Sequence, residues 1–248
     1  MTVAATLVVV PQAQELEPLL GGFVGAGYQP RKLTLGRLEC HLFEELRLLF
    51  TVGGHGKTQL AVRTQHLIER SAELEVVICA GAAGSLGGDV ALGDVVVGVS
   101  TIEHDYKLRF VRRPLPSYPA DAQLLAEFRL AASRIGREFR VFFGAIASGD
   151  EDIVDPARAR ELREATGALC VAWEGAGAAR AASFSGLQFL EVRAITDGAD
   201  HTAAADFQAN LERSMPKLAQ LLLKWALVRR QGRPTHGSRG RSSPTAEP

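Results

Sequence analysis

Six continuously apolar segments alternate with segments of helical periodicity, and this alternation constrains the fold of the chain more than any other feature. The apolar segments, rich in β-branched residues, span 6–10, 75–80, 95–100, 141–147, 169–172 and 189–195. Strands without polar alternation are typical of sheets covered on both faces. Helices are predicted at 14–21, 55–69, 121–134, 156–165, 175–184 and 203–227, with an early hairpin at 37–41 and 47–51. The pattern predicts an α/β fold, a three-layer α/β/α domain around a twisted, mostly parallel central sheet.

The last 20 residues of the chain, 229–248, differ in composition from the rest. They have no apolar periodicity and are rich in Gly, Pro, Ser and Arg, so they cannot bury enough surface to offset the entropy cost of ordering. We therefore expect a single domain over residues 1–228 and a disordered basic tail over 229–248. A weak basic docking segment is the alternative interpretation of the tail.

The charge of the 248-residue chain is balanced, with 28 basic and 28 acidic side chains, but it is unevenly distributed. The tail holds five of the basic residues and one of the acidic residues, which leaves the domain with a formal charge of −4. Proteins held by nucleic-acid phosphates or by anionic lipid need an excess of Lys and Arg. We therefore expect neither a nucleic acid nor a membrane as a partner.

Cysteine usage and the N-terminal sequence indicate the compartment. Cys40, Cys79 and Cys170 are odd in number and far apart, and the sequence has no CxxC or Cys/His cluster, so we expect neither disulfides nor a zinc site. The first apolar segment has no basic region before it and is too short to span a bilayer. The sequence therefore predicts a cytoplasmic protein.

Carboxylates follow three of the predicted strands, where doubly wound sheets bind their ligands. Glu15 follows the first strand, Glu174 follows the strand at 169–172, and Asp197 follows the last strand. Each acid alone could be a helix cap or a surface charge. A doubly wound sheet would gather all three acids at one edge. Three acids without a counter-ion or metal ligands favour a neutral polyhydroxylated or basic heterocyclic substrate over a phosphorylated one.

Two glycine-rich loops follow strands but lack the spacing of a nucleotide-binding loop. Residues 81–88 read GAAGSLGG, and residues 53–57 read GGHGK. Neither matches GxGxxG or the Walker pattern, so neither indicates ATP binding. Glycines allow a ligand to approach the backbone closely, although a tight structural turn explains the first loop as well.

Five motifs occur along the chain: CAGAAGSL followed by LGDVVV, EHD (103–105), SGD (148–150), WEGAGAA (173–179) and VRAITDGAD (192–200). Together they resemble the purine nucleoside phosphorylase/nucleosidase superfamily, and within it the methylthioadenosine/S-adenosylhomocysteine nucleosidases. The resemblance covers about residues 5–225, and the last two motifs carry it most specifically. It implies a nucleoside phosphorylase-like fold, purine nucleoside chemistry of methionine salvage, neither cofactor nor metal, and a homodimer.

The resemblance also implies roles for individual residues. Asp197 is similar to the acid that protonates the purine at N7, and Glu15 matches the general base that activates the attacking water. Glu174 resembles the residue that accepts hydrogen bonds from the ribose 2′- and 3′-hydroxyls. Trp173 would pack under the ribose, and Ile153 would present backbone groups to the base.

Two supporting roles are implied as well. Arg193 would hold the acidic cluster together, and Ser148 would orient Asp197. Three residues differ from the family pattern: Trp173 replaces the usual Met, Asp152 stands where an aromatic is typical, and Ala82 stands where Ser is common. An acid at 152 cannot stack on a purine, but it could accept a hydrogen bond from a base N–H.

Hydrolysis and phosphorolysis are the two enzymatic alternatives. Phosphorylases of this superfamily hold phosphate with arginines and Ser/Thr in the glycine loops, whereas Ala82 and Ala83 offer no side-chain donor. Glu15 would repel phosphate and favour water. We therefore predict a nucleosidase that hydrolyses the N-glycosidic bond of an adenine-type nucleoside, because 6-aminopurine enzymes of the family carry Asp at position 197. A phosphate-dependent purine nucleoside phosphorylase and a nucleoside-binding homologue that has lost catalysis are the alternatives.

The group at the 5′ position is left open by the sequence. Nucleosidases of the methylthioadenosine type have an apolar 5′ pocket built partly by a neighbouring subunit. Phe110, Leu115 and Tyr118 follow the EHD motif and could serve there, with core packing as an equal explanation. His55 and His66 are predicted to be ordinary helix residues.

Overall fold

The strands of the computed structural model, which describes residues 4–111 and 113–232, join in one sheet that closes on itself at one end. In chain order they are β1 (Thr6–Val10), β2 (Arg31–Leu35), β3 (Leu38–Phe43), β4 (Leu48–Val52), β5 (Val76–Ser85), β6 (Val95–Glu103), β7 (Ser117–Pro119), β8 (Val141–Ser148), β9 (Cys170–Ala172) and β10 (Gln188–Asp197). The open part has the order β5-β1-β4-β3-β2, and β7 pairs with β6. The strands β5, β10, β6, β8 and β9 pair in a ring.

Helices cover both faces of the sheet, and this explains the continuously apolar strands. They are α1 (Ala13–Gly25), α2 (Lys57–Ile68), α3 (Ala122–Ala132), α4 (Pro156–Thr166), α5 (Gly175–Phe184) and α6 (Ala203–Gly232). Alternate residues of β1 pack into different clusters: Val8 and Val10 join the cluster that includes residues of α1, α3 and α6. Leu7 and Val9 join the cluster that includes residues of α2 and α5. Both faces of the strand are therefore buried.

The α/β fold predicted from the sequence is confirmed, and the sheet is mixed. β4, β1, β5 and β10 run parallel, whereas β9 is antiparallel to β5 and β6 is antiparallel to β10. The early hairpin is confirmed by the antiparallel pair β3–β4. Strands β2 and β7 are not indicated by the apolar pattern of the sequence, because β2 is a largely exposed edge strand and β7 has only three residues.

Helix α6 extends four residues beyond the predicted end of the domain. Arg229 donates from Nη1 to Oε2 of Glu127 at 2.9 Å and from Nη2 to Oε1 of Gln188 at 3.0 Å. These bonds hold the end of α6 against α3 and β10, so the predicted boundary at 228/229 is wrong. The remainder of the predicted tail, 233–248, lies outside the described residues. In the described ranges, no helix is long and apolar enough to cross a membrane.

The second half of β5 is the point at which the ends of three other strands meet. The register pairs Val9 of β1 with Cys79, so the chain leaves β1 next to Gly81. On its other side, Asp197 at the end of β10 lies opposite Gly84. The antiparallel strand β9 places Val171 opposite Gly84 as well. The glycine-rich segment after the apolar half of β5 is therefore surrounded by the residues that follow β1, β9 and β10.

Candidate active site

A cavity of about 340 Å³ opens beside the second half of β5. Seven of the nine predicted site residues line it: Glu15, Ala82, Asp152, Ile153, Trp173, Glu174 and Asp197. The other two, Ser148 and Arg193, are fully buried and contact residues of the wall. The fold thus brings together all nine residues that the sequence singled out.

Glycines in β5 allow the carboxyl groups to approach the strand backbone. A Cβ at Gly81 would lie 2.8 Å from Oε1 of Glu15 and 2.8 Å from Nη1 of Arg193. At Gly84 it would lie 2.6 Å from Oδ1 of Asp197. These separations are below van der Waals contact, so any larger residue would push the acids out of position.

Glu15 lies in the first turn of α1 and points back toward β5. Its Oε2 accepts from the backbone N of Gln12 at 2.9 Å, and its Oε1 accepts from the backbone N of Ala82 at 2.7 Å. The side chain is buried. Burial, followed by the negative charge of Glu174, raises the pKa of Glu15 to about 7, against the lowering effect of the two backbone donors.

Glu174 stands where β9 ends and α5 begins. Its side chain makes no capping bond to α5. Instead, Oε1 accepts from the backbone N of Gly56 at 3.4 Å, and Oε2 lies 3.5 Å from Nη2 of Arg193. Burial raises the pKa of Glu174, and the charge of Arg193 opposes that rise. The carboxylate therefore faces the cavity rather than serving the helix.

Asp197 is the last residue of β10, and the turn after it holds its carboxyl group in place. Oδ2 accepts from Oγ1 of Thr196 at 3.0 Å, and Oδ1 accepts from the backbone N of Ala199 at 3.0 Å. Ala199 has a φ of 51°, which is uncommon for a residue with a side chain. Burial raises the pKa of Asp197 against the effect of these two donors. A carboxyl group with a raised pKa is suited to donate a proton near neutral pH.

Ser148 does not orient Asp197, so that prediction is wrong. Its Oγ donates to the carbonyl O of Trp173 at 2.8 Å and accepts from the backbone N of Ala176 at 2.9 Å. The reason lies in the strand order: Ser148 ends β8, which pairs with β9 rather than with β10. Ser148 therefore fixes the turn between β9 and α5, and Thr196 supplies the hydroxyl next to Asp197.

Glu191 is a buried acid that was not among the predicted site residues. Arg193 donates from Nε to its Oε1 at 2.8 Å, and Thr101 donates from Oγ1 to its Oε2 at 2.5 Å. A Cβ at Gly175 would lie 2.0 Å from the same carboxylate, so α5 begins directly against it. A signal was present in the sequence, because Glu191 and Arg193 are two residues apart in an otherwise apolar strand and share one of its faces.

His55 lies in the cavity wall and not in a helix, which corrects the prediction for this residue. Helix α2 begins at Lys57, and Gly54 and Gly56 have φ values of 96° and 81° that keep the preceding loop out of the helix. The His55 ring lies 4.2 Å from the ring of Trp173, centroid to centroid. Its Nδ1 is 3.8 Å from Oε1 of Glu174. The glycines on either side of His55 were the sequence signal that this segment is a loop and not a helix.

The start of α6 supplies another part of the cavity wall, with Ala203, Ala204, Phe207 and Gln208. The predicted apolar 5′ candidates are elsewhere. Tyr118 packs against the core cluster of β1, α2 and α5, and Phe110 is fully exposed. Phe110, Leu115 and Tyr118 are all missing from the described lining of the cavity.

The described lining of the cavity contains no Lys or Arg. Arg193 is close, but Glu191 and Glu174 flank it. Lys57, which follows the GGHG loop, donates from Nζ to Oε1 of Glu103 at 2.9 Å and to Asp105. Among the described residues, the site therefore offers several carboxyl groups to a ligand and no unpaired Lys or Arg of the kind that holds phosphate.

Comparisons with known proteins identify the family of the chain. A family profile described as the phosphorylase superfamily matches residues 6–226. The 5′-methylthioadenosine/S-adenosylhomocysteine nucleosidase of Thermotoga maritima is 30% identical over 205 residues, which is 83% of this chain and 87% of the relative. The nucleosidase of the same name from Shewanella halifaxensis is 28% identical over 203 residues, 77% of this chain and 87% of that protein.

Solved structures show the same fold. Futalosine hydrolase of Helicobacter pylori superposes with a TM-score of 0.80 at 25% identity, covering 90% of this chain and 97% of that one. The methylthioadenosine/S-adenosylhomocysteine nucleosidase of Neisseria meningitidis, solved with methylthio-immucillin-A, gives 0.77 at 25% identity, covering 89% and 98%. The protein therefore belongs to the phosphorylase superfamily, the family that its motifs resemble.

Proposed function

We propose that the protein is a purine nucleosidase that hydrolyses the N-glycosidic bond of an adenine-type nucleoside to free base and a ribosyl product. The substrate would be of the kind named in the relatives, 5′-methylthioadenosine or S-adenosylhomocysteine. One observation carries the proposal. Glu15, Glu174 and Asp197 are buried around one cavity whose described lining has no Lys or Arg.

Asp197 acts as the general acid. Its carboxyl group gives a proton to N7 of the purine, and this makes the base a better leaving group. The electron pair of the bond between C1′ and N9 then passes to the base, and the sugar develops oxocarbenium-like charge. Thr196 and Ala199 hold the carboxyl group in place. Ile153 would offer backbone groups to the base, and Asp152, exposed at the rim, would accept from a base N–H.

Glu174 binds the ribose. A carboxylate offers two acceptor oxygens to a vicinal diol and no competing donor. Arg193 keeps one end of this carboxylate in place at 3.5 Å, and the ring of Trp173 would pack against the sugar. The nearby negative charge of Glu174 also favours a sugar that becomes positive in the transition state.

Glu15 acts as the general base. It takes a proton from a water molecule while the water oxygen forms the new bond to C1′ on the face opposite the base. With a pKa of about 7, it is a stronger base than an exposed carboxylate and is still substantially ionised near neutral pH. Ala82 contributes its backbone N–H to the same carboxylate.

The protein is also proposed to form a homodimer. The segment 106–111 carries four exposed apolar side chains, Tyr106, Leu108, Phe110 and Val111, and Phe110 is fully exposed. Clusters of this kind on a protein surface mark interaction sites. Light scattering of the protein as it elutes from a size-exclusion column tests the proposed dimer. A mass of twice 26.6 kDa is expected, and the mass of a monomer would contradict the proposal.

The activity is tested by incubating the protein with a panel of 6-amino- and 6-oxopurine nucleosides and separating the released bases by chromatography. Adenine release from adenine nucleosides is expected, with much slower release of hypoxanthine or guanine. Tight binding of a nucleoside without release of any base would support a non-catalytic homologue instead.

A further inference from the structure

Polar side chains from three parts of the chain meet at the opening of the cavity. Gln14 donates from Nε2 to Oε1 of Gln12 at 2.7 Å, and Gln208 donates from Nε2 to Oε1 of Gln14 at 3.3 Å. Nε2 of Gln12 also lies 3.4 Å from Nδ1 of His55. These contacts link α6, α1 and the loop before α2. Three of the four residues, Gln12, His55 and Gln208, line the cavity itself.

The buried acids determine which part of a nucleoside would face this opening. Glu174 and Asp197 are 4% and 8% exposed, whereas the His55 side chain is 53% exposed. When Asp197 holds the base and Glu174 holds the 2′- and 3′-hydroxyls, the base and the diol edge of the ribose are anchored inside. The substituent at C5′ is the part that neither anchor engages, so it extends toward the opening.

We propose that Gln12, His55 and Gln208 form a subsite for a polar group beyond C5′, so that the protein selects nucleosides with a hydrogen-bonding 5′ extension over those with a short apolar one. This inference rests on the proposed function, because that function places base and ribose. An amino-acid extension, as in S-adenosylhomocysteine, has a carboxylate that can accept from an amide or an imidazole N–H. A methylthio group would cover the same side chains without replacing their bonds to water.

Substitution at the subsite tests the proposal through a ratio of two substrates. The quantity is kcat/KM for S-adenosylhomocysteine divided by kcat/KM for 5′-methylthioadenosine. In the unsubstituted protein the ratio is expected to exceed one. His55→Leu and Gln12→Leu should each lower it about three- to tenfold, the value of one lost hydrogen bond. Gln123→Leu is the matched control, because Gln123 is exposed on α3 and, among the described residues, bonds to Asp121 and Glu127 of that helix and its N-cap.

The outcomes separate this inference from the proposed function. A ratio below one in the unsubstituted protein, or a ratio that neither substitution changes, would overturn the polar subsite while leaving the nucleosidase intact. If no base is released from either compound, the proposed function fails. Dissociation constants of the two nucleosides from calorimetry then test the subsite by the same ratio and the same variants.

Discussion

Nε of Arg193 donates a 2.8 Å hydrogen bond to Oε1 of Glu191 in the interior of the protein. This contact has a consequence for the site, because Arg193 also lies 3.5 Å from Glu174 and its charge lowers the pKa of Glu15. Glu191 occupies one edge of the guanidinium of Arg193, so that Arg193 lies between two buried carboxylates, those of Glu191 and Glu174. It thereby limits how far Arg193 can stabilise the ionised forms of Glu15 and Glu174.

Replacing Glu191 by Gln should therefore move the pH profile and not merely lower stability. With one negative charge removed, the pKa of Glu15 falls, and the acid limb of kcat/KM shifts from about pH 7 to lower pH. The measurement compares the pH profiles of kcat/KM of Glu191→Gln and of a control variant, Glu44→Gln. The control removes an exposed ion pair with Arg31. An unshifted acid limb in Glu191→Gln would limit Glu191 to a structural role.

The buried Glu15 should make the protein less stable as the pH rises. Its pKa is about 7 in the folded protein and 4.5 as a free side chain, so its contribution is fully present below pH 4.5 and is lost as the pH rises through 7. The loss is on the order of 3 kcal/mol. Urea unfolding at several pH values should show a smaller decline between pH 5 and pH 8 in Glu15→Gln than in the unsubstituted protein. Parallel curves for the two proteins would contradict the raised pKa.

Asp197→Asn should remove the proton donor while leaving the pocket in place. We expect kcat to fall by about 10²- to 10⁴-fold, the usual contribution of a general acid, with little change in nucleoside affinity. Asp121→Asn is the matched control, because Asp121 accepts from the backbone N of Gln123 and Leu124 at the start of α3 and is not among the described lining residues of the cavity. Turnover by Asp197→Asn at the rate of the control would remove Asp197 from the mechanism.

Thr196 should affect the basic limb of the pH profile of kcat/KM, and Ser148 should not. The Thr196 hydroxyl donates to Asp197 and lowers its pKa, so Thr196→Val should raise that pKa and move the basic limb to higher pH. Ser148→Ala should leave the limb in place, since Ser148 contacts Trp173 and Ala176 instead. A shift in Ser148→Ala without one in Thr196→Val would reverse this assignment.

Much of the site could be predicted from the sequence, because carboxylates that directly follow strands are placed by the sheet itself. Glu15, Glu174 and Asp197 each come within five residues of a strand end, and the register around β5 then brings them together. Five of the six apolar strands and five of the six helices were predicted to within four residues of their ends, because the patterns that indicate them are local.

The features of the fold and of the site that the sequence did not predict depend on contacts between segments distant in the chain. The ring of five strands follows from β9 pairing with β5, which no local pattern in a three-residue strand indicates. Ser148 was assigned to the wrong neighbour because that assignment needs the strand order. His55 was placed in a helix because positive φ values at its neighbouring glycines are invisible to apolar periodicity.

Phosphate dependence distinguishes most directly between water and phosphate as the attacking group. The rate of adenine release from 5′-methylthioadenosine is measured in buffer with and without inorganic phosphate, and the sugar product is identified by mass spectrometry. We predict the same rate in both buffers and a free reducing sugar as the product. Adenine release that requires phosphate and yields a sugar 1-phosphate would contradict the hydrolytic mechanism.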